Sequence, residues 1–362
     1  MRVVLVCDFF LRYTAMLAGG LGRAGVDVTL LTRNHDLEFG GVPGAGEGFA
    51  REAAPAARIE ILGGRMRSPR AWGSALATHR RLRALAPDVV HLQESVGTDL
   101  RLLLAAAPRR GRFALTVHDP VRHPGDSDVP RVARINRVLV RRAGLVFVHS
   151  NVLAEETGAR TGTRAPIVVV PHGADPASSS PLPESPSVLF FGRISHYKGL
   201  DVLLEAMARV WRVLPEATLT IAGAGEMPVH DALDDPRVTV RPGHVPDGEV
   251  PGLIEAARCV ALPYRQASQS GVGSLVKPFG RPLVVTETGG LPELVDDGSG
   301  LVVPPEDPGS LAEALIRVLG DDELAGRLAL AGIETAREGG SWDQVAALTI
   351  AAYRQHLGAP VG

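Results

Sequence analysis

Short apolar runs rich in β-branched residues alternate along this chain with longer stretches of helical periodicity. In the first half the runs are Arg2–Cys7, Val26–Thr32, Arg58–Leu62, Asp88–Leu92, Arg112–Val117, Leu145–His149 and Ile167–Pro171. Near-continuous strands such as VVLV and LVFV, with amphipathic segments between them, predict a parallel sheet covered on both faces. The rhythm stops at 176–186, PASSSPLPESP, which has almost nothing to bury and reads as an exposed connection. It restarts with SVLFFG (187–192), ATLTIAG (217–223), RVTVRPG (237–243), CVALPY (259–264), PLVVTE (282–287) and GLVVPP (300–305). Helices are predicted at Leu200–Val213, Pro308–Leu319, Asp322–Arg337 and Trp342–His356. The expected fold class is α/β, with two doubly wound, Rossmann-like parallel-sheet domains facing a cleft. They are placed at 1–171 and 187–340, joined by a linker over 172–186 and followed by a terminal segment, 341–362. Ligands of such sheets bind outside the carboxyl ends of the strands, so the post-strand loops are where chemistry is sought.

Length and composition narrow the class. A chain of 362 residues suits two domains, and 45% apolar with 22% charged residues is enough to bury full cores. No apolar run approaches the roughly 18 residues of a membrane span. The opening MRVVLVCDFF is cut by Asp8, too early for a secretory signal, so a cytoplasmic setting is expected. Cys7 and Cys259 lie far apart in strand-like runs, as free buried thiols do. The formal charge of −2 hides an asymmetry: residues 1–175 carry 24 Arg and no Lys against 16 acidic residues, a formal +8. The rest carries 14 basic against 24 acidic, a formal −10. Such a front field suits an anionic acceptor, a phosphate-bearing substrate or an acidic membrane surface, and equally suits attraction between two domains of opposite sign. Only Lys198 and Lys277 are lysines, which singles both out.

The most informative segment is LFFGRISHYKGLDVLLEAM (189–207), an apolar strand, a glycine turn and a helix, with Arg193 and Lys198 in the loop. Gly192 permits close backbone approach, and Gly199 and Asp201 suit the helix start. The fork of Arg193 and the point charge of Lys198 match a diphosphate; the alternative is a pair of solvated loop cations. A second anion site is expected at SQSGVGSLVKPFG (268–280), where the N–H groups of Ser270, Gly271, Val272 and Gly273 can converge at a helix mouth. Here the alternative is a Ser/Gly helix cap. Lys277 lies two turns further along the same helix face. In the front half, ALTVHDPVRHPGDSD (114–128) breaks at His118 and Asp119, which points His118 toward the cleft. The Asp126-Ser127-Asp128 triplet reads as a helix cap in preference to a metal site, and no metal is expected. Acceptor contacts are expected from the other front loops: Arg12 and Tyr13 in DFFLRY, Glu94 in VVHLQES, and Asp119 and His123. RMRSPRAWGSALATHRRLRALAP (65–87) has a thin apolar face of Leu76, Leu82 and Leu85 and reads as a solvated helix more readily than as a peripheral membrane contact.

Taken together, VVVPHGAD (168–175), GRISHYKGLDVLLEAM, LTIAGAGE (219–226), GRPLVVTETGGLPELVDDGSGLVVPPEDP (280–308) and SLAEAL (310–315) resemble the retaining glycosyltransferases of family 4. The resemblance implies the two-domain GT-B architecture and transfer of a sugar from a nucleotide-diphosphate donor to a small-molecule or lipid acceptor. It implies neither a metal nor a cofactor beyond that co-substrate, and no nucleic acid. It places the donor diphosphate on Arg193 and Lys198, extends the donor site to Gly192, Gly223, Val245, Gln269, Ser270, Gly271, Val272 and Gly273, and sets His118 near the transferred sugar. It also implies that the terminal helix in 341–362 crosses back to the front domain. One departure is clear. The family's usual glutamate pair falls on Ala267 and Leu275, leaving Glu287 and Glu293 as the nearest carboxylates for the donor ribose. A non-catalytic sugar-nucleotide-binding partner of another transferase is therefore the alternative reading. A dinucleotide oxidoreductase is poorly supported, since no strand-like run is followed by a G-x-G-x-x-G turn with an acidic residue after the next strand.

Overall fold

The computed structural model describes residues 1–7, 10–32, 36–61, 79–93, 112–119, 129–174 and 180–360. They form two compact units, Met1–Gly173 with Trp342–Gly362, and Ala174–Ser341. In the first, β1 (Arg2–Cys7), β2 (Asp27–Thr32), β3 (Arg58–Ile61), β4 (Val89–Gln93), β5 (Phe113–Thr116), β6 (Leu145–Val148) and β7 (Ile167–Val169) build one sheet in the order β3-β2-β1-β4-β5-β6-β7. In the second, β8 (Ser187–Phe191), β9 (Thr218–Gly223), β10 (Val238–Pro242), β11 (Cys259–Leu262), β12 (Leu283–Thr286) and β13 (Gly300–Val303) run β10-β9-β8-β11-β12-β13. The described pairings are parallel.

The strands are apolar throughout because both faces are covered. Alternate residues of β1 enter opposite cores, Val3, Leu5 and Cys7 on one side and Val4 and Val6 on the other. In β8, Val188 and Phe190 likewise oppose Leu189. Both cysteines are free and buried. Leu82 and Leu85 belong to the front core, and the remainder of the basic stretch before residue 79 lies outside the described residues. The terminal helix, Trp342–Leu357, contributes Trp342, Val345, Ala346 and Tyr353 to the core formed with Leu17, Ala18 and Leu21 of the first helix, Leu11–Arg23. None of the described helices is long and apolar enough to cross a membrane.

Strand order reverses beside β1 and β4 in one sheet and beside β8 and β11 in the other. Each reversal sets two loops at neighbouring strand ends, the place where doubly wound sheets bind ligands. The loops after β8 and β11 are thus placed together by topology.

The connection differs from its expected exposure. From residue 180 onward it is strapped to the rear unit by two buried arginines. Arg281, 2% exposed, donates to Ser180 O (2.9 Å), Ser180 Oγ (2.6 Å), Pro181 O (3.2 Å) and Glu255 O (3.0 Å). Arg258 reaches Pro183 O at 3.0 Å and pairs with Asp322. A guanidinium has five fixed donors, and a cage of carbonyls satisfies them without a carboxylate. Pro and Ser therefore mark a segment bound chiefly through its backbone carbonyls, with Ser180 Oγ as a further acceptor.

Candidate functional site

The cation loop begins where β8 ends. Gly192 N donates to Ala222 O (2.9 Å) and Ile194 N to Ala224 O (2.7 Å), so this loop lies against the one after β9. Gly223 adopts φ 153°, and a Cβ there would overlap the carbonyl of Gly192, which only glycine avoids. After a short turn, His196–Lys198, the chain enters the helix Leu200–Val213 through Gly199, whose φ of 65° seats it on the carbonyl of Pro263. Lys198 is only 7% exposed.

Its Nζ donates to Tyr264 Oη at 2.9 Å and lies 4.6 Å from the Tyr264 ring centroid. Tyr264 Oη is in turn 3.4 Å from Ser270 Oγ. Ser270 caps the helix Gly271–Val276 by accepting from Gly273 N at 3.2 Å, a bond of about 1 kcal/mol. A Cβ on Gly192 would meet Val272 Cγ2 at 3.2 Å and Lys198 Nζ at 3.4 Å. Gly192, Lys198, Ser270 and Val272 therefore converge at the β8/β11 reversal.

Lys198 pairs with no carboxylate among the described residues. Burial pushes the ammonium down, but the oxygens of Tyr264 and Tyr197 outweigh it and hold Lys198 above the ordinary lysine range, Arg193 opposing them. It is a buried positive charge with a phenol for a neighbour, and such a charge is costly unless an anion completes it. Lys277 is the contrast. It pairs with Asp297 and donates to Leu294 O at 2.9 Å, so it ties its helix to the following turn.

Arg265 holds the cation turn from outside. Its backbone N donates to Tyr197 O (2.7 Å), and its guanidinium donates to His196 O (2.9 Å), both oxygens of Asp201 (2.8 and 2.7 Å) and Glu306 (3.0 Å). Asp201 is thus a clamp partner as well as a first-turn residue. Tyr264 and Arg265 were not anticipated from sequence. The signal was present as LPYRQ, an aromatic and a cation at the carboxyl end of a buried strand.

The other anticipated donor residues divide. Arg193 is exposed, its guanidinium carbon 5.9 Å from the Tyr197 ring centroid, near enough for its charge to act on Lys198. Four amides were expected to converge at the helix mouth. Gly273 leaves that set, because its N–H is taken by Ser270 Oγ and a Cβ would collide with Leu294. The N–H groups of Ser270, Gly271 and Val272 remain. Gln269 is half-buried between β11 and the helix, and Val245 is buried in the loop after β10. Leu275, at one expected glutamate position, packs against the core that holds Tyr264 and Val276; Ala267 packs there too. Glu287 is exposed and Glu293 half-buried in Leu291–Leu294.

The front unit gathers a different set. His118 follows β5, buried at 1%, with Nε2 3.1 Å from Gln93 Oε1. It stacks on Phe10 at 4.0 Å and meets Tyr13 edge-on at 4.9 Å. His149 follows β6, 5.0 Å from His118, and His172 follows β7, 5.5 Å from His149. Tyr13 also touches His149, His172 and Trp342. His91 in β4 shares hydrogen bonds with Tyr353 Oη (2.6 Å) and Thr116 Oγ1 (2.7 Å). Burial, then neighbouring imidazoles, lowers His91 and His149 to about 3 and His118 well below its usual value; burial lowers His172 to about 4. All four are neutral at physiological pH. Three apolar runs each ending in His, at 118, 149 and 172, were the overlooked signal.

Of the anticipated acceptor residues, Tyr13 is 7% exposed within this cluster, and burial pushes its hydroxyl far above the ordinary range. The Arg12 guanidinium lies over Phe39 and Phe49, 4.7 and 4.6 Å from their centroids, giving it a packing role. Asp119 is half-buried beside His118. Glu94, His123 and Asp126 to Asp128 lie outside the described residues. Among the described residues no group of His, Cys, Asp and Glu is arranged to hold a metal ion.

Two doubly wound parallel sheets define a two-domain α/β class that known structures share. Sucrose-phosphate synthase from Thermosynechococcus elongatus superposes with a TM-score of 0.78 at 19% identity over 99% of this chain and 100% of that one. Anabaena HepE, solved with UDP and glucose, gives 0.70 at 17% identity over 97% and 98%. The architecture is GT-B. Residues 11–178 match the family model Glycosyltransferase Family 4, and residues 185–321 match Glycosyl transferases group 1. The chain belongs to these glycosyltransferases. Glycogen synthase from Mycobacterium tuberculosis is 29% identical over 293 residues, 75% of this chain and 69% of the relative.

Proposed function

We propose that this glycosyltransferase moves a sugar from a nucleotide-diphosphate donor to an acceptor hydroxyl, with retention at the anomeric carbon and without a metal. The observation that carries this reading is Lys198, a buried cation without a carboxylate partner among the described residues, beside Ser270 at a sheet reversal. The leaving diphosphate gains negative charge as the glycosidic bond breaks. A preorganised ammonium, with the N–H groups of Gly271 and Val272, stabilises that charge more in the transition state than in the ground state. Arg193, exposed on the same loop, supplies a second cation on donor binding. The acceptor attacks from the leaving-group side and its proton passes to the diphosphate, so no protein nucleophile is needed. His118, neutral and buried in the front unit, offers hydrogen bonding to the sugar without adding charge. Anabaena HepE carries UDP and glucose, which makes UDP-glucose the first donor to try.

The test uses purified full-length protein against UDP, GDP, ADP and dTDP and their sugars. One nucleotide is expected to raise the unfolding temperature by mass action. Its sugar is expected to be transferred or hydrolysed in the presence of EDTA, with the product's anomeric configuration, read by NMR, matching the donor's. Turnover unaffected by Lys198→Ala would refute the assignment.

A further inference from the structure

Tyr264 is 2% exposed and immobilised on both sides: its carbonyl accepts from Thr286 Oγ1 at 2.5 Å, and the next residue, Arg265, donates its N–H to Tyr197 O. Its hydroxyl is the middle of a chain. Lys198 Nζ has donors only, so Tyr264 Oη accepts from it; the same oxygen lies 3.4 Å from Ser270 Oγ, where either hydroxyl can donate, and Ser270 Oγ accepts from Gly273 N. One phenol therefore bridges the cation loop after β8 and the helix mouth after β11.

A carboxylate at this place would bind Lys198 more strongly, as Asp297 binds Lys277, but would cancel its charge and compete with an incoming anion. A phenol satisfies one ammonium donor and leaves the charge whole. Packing alone does not require the hydroxyl, since phenylalanine fills the same volume. We propose that Tyr264 is a positioning residue of the anion site, its hydroxyl fixing Lys198 and Ser270 at once so that an uncancelled cation faces the diphosphate. This rests on the diphosphate reading above. The groups facing the ammonium are Tyr264 from the end of β11, Tyr197 from its own turn, and Arg193 from the loop after β8.

The chain has two lysines, so protein labelled with 13C at lysine Cε gives two side-chain signals, and Lys277 is the internal control. In Tyr264→Phe the Lys198 signal is expected to titrate at lower pH than in the parent, because burial then acts without the phenol oxygen, while Lys277 stays put. Pyrophosphate binding, measured calorimetrically in EDTA, is expected to weaken about tenfold, the loss of a hydrogen bond to a charged group. Ser270→Ala cuts the same chain at its far end and is expected to weaken pyrophosphate binding less; it serves if the first variant does not fold. Unchanged Lys198 titration and unchanged pyrophosphate affinity in a folded Tyr264→Phe protein would overturn the positioning role. Pyrophosphate binding that survives Lys198→Ala would overturn the diphosphate reading, and the role of Tyr264 with it.

Discussion

The carboxyl edges of the two sheets are built alike and charged differently. Beside the β8/β11 reversal the rear unit buries a lysine with a phenol for company. Along the same edge of the front sheet, His91, His118, His149 and His172 are buried neutral among Phe10, Tyr13, Trp342 and Tyr353. The formal charges run the other way, since the front half is basic and the rear acidic. Whole-domain charge thus says little about an edge, because surface arginines are solvated whereas a buried group acts in a low dielectric. One edge presents a buried cation, the other buried groups that hydrogen-bond without charge.

Acid is expected to produce the largest effect, and on stability. In the unfolded chain each histidine protonates near pH 6.5, whereas in the folded chain His91 and His149 hold out to about 3 and His172 to about 4. Below pH 6.5 the unfolded state binds more protons, so stability falls as pH drops. The loss is about 1.4 kcal/mol per unit for each such histidine until its folded value is reached. Urea unfolding followed at pH 7, 6 and 5 should show this, and His149→Gln should flatten the slope. A pH-independent midpoint over that span would break the contrast between the edges.

Lys198→Ala comes next. It is expected to reduce turnover by roughly a hundredfold to a thousandfold, about 3 to 4 kcal/mol of barrier, as for removal of a preorganised donor. Thermal unfolding should show only a small loss of stability, about 1 kcal/mol, because Tyr264 Oη loses the donor whose charge it helps to hold. Asp297→Ala should do the reverse, costing about 3 kcal/mol of stability by stranding Lys277 while catalysis per folded molecule persists. Comparing the two variants by urea unfolding and initial rates separates the functional lysine from the structural one. The smallest effect is predicted for Arg12→Ala: about 1 kcal/mol of stability, read in the same urea assay, from its stacking on Phe39 and Phe49.

Periodicity was sufficient for the strands, and Leu200–Val213 was legible to the residue because its apolar face and flanking Gly199 and Leu214 bound it closely. Lys198 stood out for its rarity and its place after a strand. What sequence could not state was its partner: Tyr264 lies 66 residues away and is brought in only by the β8/β11 pairing. The same holds for Arg281 and the linker, 101 residues apart, and for His91 and Tyr353, 262 apart. Local patterns encode which face of an element is apolar, since burial is repaid residue by residue along the chain. Whether a polar side chain meets a carboxylate, a phenol or a carbonyl depends on contacts between distant segments, and strand order, fixed by tertiary packing, decided that Lys198 faces a phenol and Lys277 a carboxylate.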